Sequence, residues 1–450
     1  MAADEGEAPA PPEKAGDGHR PPSRLRPVLR RHPDFRRLFA GNATSLLGSS
    51  VTTVALPLTA VVHLDASPAQ MGLLGAAGLL PHLVLGLPAG VWVDRMSYRR
   101  TLVLADLAQA ALLGAVPVMA VLGSLRMWHL YAVVVLVGVC GLFESVAAQS
   151  FTPLLVPRER LLPANSALVL SNATVATTGS AVGGLLVSLL TAPVAIAVDA
   201  VSFLLAALCK ARIRTPGPAA VPAAGHRRHL WADVLEGVRA VLAHRIVRAT
   251  TLAATLGALG GQVQNVVLML YLVEDLTLSP ALIGVVVATG GVAGVLGALV
   301  VTRVTERIGP GPSFVAGMSL AAVAGPVLAT AGGPLTLTLA ILVVAQVLRG
   351  TGPSLYGVNQ QTLRQALIAP ALLSRVNATW RFLVYGTQPL GALLGGLLGS
   401  VLGLRATLVV GGGVMLAGVA VALASPLRSL RELPAGECGD DPAPSGTTTP

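Results

Sequence analysis

The chain has 450 residues, of which 53% are hydrophobic and only 12% charged, about half the charge that soluble domains carry. That balance excludes a water-soluble globular protein and leaves lipid as the solvent. The formal charge of +10 raises nucleic acid as a partner, but the basic residues fall in alternate connections between apolar runs, which points to an anionic membrane leaflet instead.

Twelve apolar runs of helical length follow one another, near 38–62, 69–93, 101–123, 128–151, 164–190, 192–210, 250–273, 281–303, 313–332, 334–357, 377–400 and 402–425. Each is long enough to cross ~30 Å of hydrocarbon at 1.5 Å per residue. They are rich in Ala, Leu and Gly and lack period-2 alternation, so an all-α membrane protein is expected and a β-barrel is not. The basic connections 94–100, 157–160, 210–248, 303–307 and 364–375 share one side with both tails, while the other side receives only Arg126 and Arg405. The positive-inside rule therefore places both termini in the cytoplasm of a multi-pass inner-membrane protein. The first thirty residues lack an apolar signal region, so the first span itself is expected to direct insertion.

In chain order, residues 1–32 read as a disordered tail and 33–211 as a first six-helix bundle. In span 1, Asn42, Ser45, Ser49 and Thr52 recur at i, i+3, i+7 and i+10. This polar stripe must face protein or water, either bonding neighbouring helices or lining a cavity. Span 2 ends in GLPAGVWVDRMSYRR, with Gly86 and Gly90 on one helix face and Asp94, Arg95, Arg99 and Arg100 at the membrane exit. Asp106, six residues into span 3 from Arg100, is expected to pair with Arg95, Arg99 or Arg100. Glu144 in span 4 has no basic residue within a helical turn. It must be protonated, paired across helices or in a watery cavity, and each makes it a candidate for proton coupling or substrate contact, with a neutral carboxyl bonding a neighbouring helix as the alternative.

Span 5 carries Gly179, Gly183 and Gly184, and span 6 the run VDAVSF before its exit at Lys210. Residues 212–249 form a linker in which Leu230, Val234, Val238, Val241 and Leu242 share a helical face, as an interfacial helix requires. Residues 250–426 form the second bundle. Span 7 holds Gln262, Gln264 and Asn265, an amide cluster with large hydrogen-bonding capacity. Span 10 holds Gln346, Arg349, Pro353, Tyr356 and Gln360 along one stripe. Arg349 cannot shed its charge, so it needs an anion, carbonyls or water; it is a candidate for recognising an acidic substrate group or gating the coupling carboxylate, with a structural anchor as the alternative. Trp380 and Arg381 in span 11 are expected to snorkel towards the interface. Residues 427–450 read as a disordered tail.

A shift of 212 residues superimposes the two halves. Ser67–Pro68 falls on Ser279–Pro280, Gly72 on Gly284, Gly78 on Gly290, Asp94–Arg95 on Glu306–Arg307, Asn165 on Asn377, Gly179 on Gly391, and Gly183–Gly184 on Gly395–Gly396. Six helices separate the copies, so both have the same topology and should be related by an axis along the membrane normal.

The G-x-x-x-D-R-x-x-x-R-R pattern of Gly90, Asp94, Arg95, Arg99 and Arg100 resembles the loop between helices 2 and 3 of major facilitator superfamily transporters. Gly179-Ser180-x-x-Gly183-Gly184 is similar to the G-P-x-x-G-G signature of antiporter branches, with serine in place of proline. With VDAVSF and the D-x-x-E-G-x-R of Asp233, Glu236, Gly237 and Arg239, the chain resembles the branch that contains the enterobactin exporter and the macrolide-efflux proteins. The resemblance implies two pseudo-symmetric six-helix bundles, a substrate site between them and a conformational latch built from Gly90, Asp94, Arg95, Arg99, Arg100 and Asp106. In that latch Asp94 would meet the positive end of helix 11. It implies a proton-coupled exporter of a macrolide-like or siderophore-like small molecule, working as a monomer by alternating access. No C-x-x-C, metal cluster or G-x-x-x-x-G-K-[ST] run is present, so no cofactor, metal or nucleotide is expected. A membrane transferase would need clustered acid and histidine residues, whereas His63, His82 and His129 are scattered. A non-transporting receptor or scaffold on the same fold stays open.

Overall fold

The computed structural model describes residues 32–93, 95–157, 160–215, 230–368 and 370–431. Its helices are α1 (Pro33–Leu58, prolonged by a π-turn at Thr59–His63), α2 (Pro68–Val93), α3 (Tyr98–Val121), α4 (Met127–Leu155), α5 (Leu161–Leu190) and α6 (Ala192–Ala211). After the linker helix α7 (Leu230–Ala243) come α8 (Arg245–Leu270, prolonged by a π-turn at Tyr271–Asp275), α9 (Pro280–Ile308), α10 (Pro310–Ala329), α11 (Leu335–Leu367), α12 (Pro370–Leu402) and α13 (Leu404–Leu423). Eleven are long and apolar enough to cross a membrane. The twelfth, α5, has 30 residues, or about 45 Å of helix. Proline opens α1, α9 and α10, where its missing N–H costs nothing.

The two copies share backbone geometry as well as sequence. The π-turns at Thr59–His63 and Tyr271–Asp275, the left-handed residues Asp65 and Thr277, and the positive-φ residues Thr191 and Gly403 are each related by the same shift of 212. Asp65, Thr191 and Thr277 are not glycine, so each carries backbone strain that the surrounding hairpin must hold. Within a copy, α1 packs on α5 and α6, α2 on α4, and α3 on α4 and α6; α8 to α13 repeat the scheme.

The copies meet where α2 packs on α12 and α5 on α9, and glycine sets the spacing. A Cβ on Gly72 would lie 2.8 Å from Gly396 Cα, and one on Gly184 would lie 2.5 Å from Gly284 Cα. These are a single contact seen twice, because Gly72 corresponds to Gly284 and Gly184 to Gly396. Both sit one turn inside the starts of α2 and α9, at the face opposite the one where α1 begins and α13 ends. The latter is the tail face. Gly179 serves packing within the copy, against Ser50 of α1, and Gly391 and Gly395 lie against Leu259 and Val263 of α8.

The linker is held at both ends. Asp34, at the start of α1, accepts hydrogen bonds from the backbone N–H groups of Arg214 and Thr215 and from Thr215 Oγ1. On α7, Val241 is buried with Val247, Ile368 and Val376, and Glu236 pairs with Arg375 of α12 at 2.5 Å. Leu242, expected on the same apolar face, is instead 52% exposed. The expected tail boundary at 427 is also too early: Pro426–Ser429 form a 3-10 turn, with Leu427 fully buried and the Leu430 carbonyl accepting from Gly311 N.

Replacing either interface glycine should loosen the molecule. Gly184→Val and Gly72→Val are each expected to cost about 1–3 kcal/mol, the usual penalty for overpacking. Thermal unfolding in detergent micelles should show this, with Gly86→Val, whose Cβ meets nothing within 4 Å, as the silent comparison.

Candidate functional site

Side chains on a helix lean towards its N-terminus. α6 runs towards the tail face, so Lys210, its penultimate residue, points back into the protein and is completely buried. Its Nζ donates to Asp106 Oδ1 of α3 at 3.0 Å and to Glu144 Oε1 of α4 at 2.6 Å. Gln109, one turn beyond Asp106, donates from Nε2 to Glu144 Oε2 at 3.0 Å. The lysine stem fits because α1 presents Gly41 there: a Cβ would lie 3.1 Å from Lys210 Cγ. Two carboxylates thus share one ammonium. Asp106 and Lys210 side chains are 0% exposed and that of Glu144 is 15% exposed, while Asp106 Oδ2 has no partner among the described residues.

This corrects the expected pairing of Asp106 with Arg95, Arg99 or Arg100. Arg95 and Arg100 are exposed, and Arg99 donates from Nη1 to the Ile213 carbonyl at 2.9 Å. Asp106 therefore belongs to the lysine cluster and not to a cluster of loop arginines. Asp94 and the surroundings of Gly90 lie outside the described residues. Glu144 is paired across helices, one of the three alternatives its position allowed, and its partner is the lysine that charge placement alone put at the membrane exit.

The polar stripe of α1 divides along its length. Thr52 Oγ1 donates to Asp199 Oδ2 at 2.6 Å, and Ser202 Oγ approaches Asp199 Oδ1 at 3.1 Å. Asp199 comes this close only because Gly48 faces it; a Cβ there would lie 2.4 Å from Oδ1. Ser49, Thr52 and Asp199, with Leu113, Val137 and Phe203, line a cavity of about 260 Å³. Nearer the tail face, Ser45 turns to the Asn42 carbonyl and Asn42 Oδ1 has no partner among the described residues. Asp199 lay unremarked inside VDAVSF; an acidic residue in the middle of a span is the signal that could have found it.

In the second copy the amides of α8 do not cluster. Position i+2 of a helix turns away from i, while i+3 stays on its side: Gln264 donates to the Leu408 carbonyl at 3.3 Å, whereas Gln262 lies against Gly391 and near Gly75 between the bundles and Asn265, one turn on, is exposed. Gln346 is buried and donates to the Val286 carbonyl of α9. Arg349 has its Nη1 buried without an acceptor among the described residues, one turn from Pro353. From Pro353 towards the tail face, α11 lines a cavity of about 690 Å³ shared with α8, α9 and α12. Its wall includes Tyr356, Arg364, Asn377, Trp380, Arg381 and Tyr385, so Trp380 and Arg381 face this space. Among the described residues no group of three His, Cys, Asp or Glu could hold a metal ion.

Two pseudo-symmetric six-helix bundles joined by a linker, meeting through α2/α12 and α5/α9, define a transporter of the major facilitator superfamily. The chain belongs to the transmembrane secretion effector family, whose model matches residues 23–439. It is 26% identical over 416 residues to the multidrug efflux pump Tap of Mycolicibacterium fortuitum, covering 89% of this chain and 98% of that one. It is 28% identical over 182 residues to macrolide efflux protein A of Streptococcus pyogenes, covering 40% of this chain and 45% of the other. Its fold is similar to that of a bacterial homologue of the human lysosomal transporter Spinster in an inward-facing, unoccupied conformation, with a TM-score of 0.67 at 16% identity over 90% of this chain and 98% of that one.

Removing the ammonium leaves two buried carboxylates facing each other, and breaking a buried pair in this way costs about 3–5 kcal/mol. Lys210→Met should therefore unfold well below the parent in detergent melting. Adding Asp106→Asn should recover part of the loss, so the double variant melts between the two.

Proposed function

We propose that this protein is a proton-coupled exporter of drug-like organic molecules, and that the Asp106–Lys210–Glu144 cluster is where the proton is exchanged. The observation that carries the reading is the ratio of two carboxylates to one ammonium. With all three groups ionised, the cluster holds one uncompensated negative charge in a poorly polarisable interior, where charge is expensive. A single proton neutralises it. Glu144 is the partly accessible member, so the proton enters and leaves through its carboxyl while Lys210 keeps both acids within hydrogen-bonding reach. When Glu144 is protonated, Lys210 is left to Asp106 alone, and helix α4 loses its hold on α6. The proton state is thereby tied to how α3, α4 and α6 pack.

Transport follows if the bundles rock. The glycine contacts Gly72/Gly396 and Gly184/Gly284 hold the face opposite the tails together, and the larger cavity lies on the tail side. With the tails in the cytoplasm of the inner membrane, as the basic connections favour, this arrangement receives substrate from inside the cell. Alternation then needs the glycine contacts to part and the tail side to close, with Asp94 and the arginines of the α2–α3 connection as the latch. The relatives named as multidrug and macrolide efflux proteins support an amphipathic drug-like cargo, as do cavity walls with few charges.

The test is efflux from energised cells and uptake into everted membrane vesicles. Glu144→Gln, inserted in the membrane at parental levels, is expected to lower uphill drug movement at least about tenfold, because a coupling carboxyl that cannot ionise cannot cycle. It should also abolish drug-dependent proton release. Parental transport with parental dependence on the proton gradient would remove the cluster from the mechanism.

A further inference from the structure

Arg364 of α11 has an unusual setting. It is near the C-terminus of its helix, so its side chain points back into the protein, and only 8% of the residue is exposed. The guanidinium lies 4.5 Å over the Trp380 ring, which satisfies its face but none of its N–H groups. Nε and Nη1 are buried with no acceptor among the described residues, and so is the indole Nε1 of Trp380. Three unmatched donors, two of them on a cation, thus belong to two side chains that line one cavity. Buried donors left without acceptors are strongly disfavoured, and none of the described lining residues is Asp or Glu.

The rest of the wall sets the kind of acceptor that fits. Arg381 adds a second guanidinium at the exposed rim, and Trp380 and Tyr385 meet edge to face at 6.0 Å between centroids. Tyr356 closes another side. About 690 Å³ of space is within the range of small-molecule sites. The first copy has no counterpart: the positions 212 residues before Arg364, Trp380 and Arg381 are Thr152, Leu168 and Val169.

We propose that this cavity of the second bundle is a subsite for the carboxylate of an aromatic substrate, with Arg364 as the anion-binding residue, Trp380 Nε1 as a second donor and the rings as a stacking surface. The inference rests on the exporter reading for the word substrate; the binding itself does not depend on it. A carboxylate placed edge-on to the guanidinium takes the free N–H groups in charge-assisted bonds, while the aromatic body lies against the tyrosines. A lipid phosphate offers the same charge, and the assay must separate the two.

The test is calorimetric titration of the purified full-length protein in an uncharged detergent with 1-naphthoate and its neutral isostere 1-naphthamide. The parent is expected to bind naphthoate at least roughly tenfold more tightly than naphthamide. Arg364→Gln should erase that preference. Trp380→Phe keeps an aromatic ring and drops the donor, and should weaken naphthoate about threefold, more than it weakens naphthamide; it serves if the arginine variant does not fold. Equal affinity for the two probes, no binding of either up to its solubility limit, or a preference that survives both substitutions overturns the proposal. Displacement of naphthoate by phosphatidylglycerol but not phosphatidylcholine also overturns it, assigning the site to a lipid headgroup. No gradient enters this measurement. Loss of proton-coupled efflux with the naphthoate preference intact would therefore remove the exporter reading alone, and the converse would remove the subsite alone.

Discussion

The first bundle is arranged around the ammonium of Lys210. One of two lysines in the chain, it reaches carboxylates on two other helices through a gap that a third helix leaves open at Gly41. Four helices, α1, α3, α4 and α6, therefore have their mutual positions set by one side chain. Apolar packing alone would let such helices slide, since lipid tails compete equally well for leucine and valine. A charge group that must be satisfied internally does not permit that freedom.

The second bundle reproduces the helices without this device. Positions 212 residues beyond Asp106, Glu144 and Lys210 are Met318, Tyr356 and Ala422, and all three belong to one apolar cluster with Phe314 and Ala253. Two of its own charges, Arg364 and Arg381, line a cavity instead. The duplication has kept backbone features, the glycine crossings, π-turns and left-handed corners, and let the ionisable chemistry of the halves diverge. An acidic interior thus faces a cationic one across the same pseudo-symmetry axis.

What could be read from the chain follows from which features are local. Spans, the repeat and its glycines are legible because hydropathy, helical period and a constant shift need only sequence spacing. The pairing of Asp106 was misread because the nearest cations in sequence, Arg99 and Arg100, lie within two turns, whereas Lys210 is 104 residues off and reaches it only through the lean of side chains on an antiparallel helix. Lys210 itself looked like a topology marker, as did Arg364, since a basic residue at a helix end obeys the positive-inside pattern whether it points out or back in. The amides of α8 looked like a group by proximity, but a spacing of two residues separates faces on a helix. Thr277 and Thr191 gave no warning of positive-φ backbone, which is ordinarily signalled by glycine, asparagine or aspartate.

The anchoring of the linker bounds how far the halves can travel. Its first end is bonded to Asp34 through Thr215, and its last helix is clamped to α12 through Glu236 and Arg375, so each anchor moves with a different bundle. Only the fourteen residues 216–229 lie between them. A chain of fourteen residues spans at most roughly 45–50 Å at about 3.3–3.6 Å per residue, and that covalent limit caps the separation of the two anchors. Shortening the segment would lower that limit without touching either cavity.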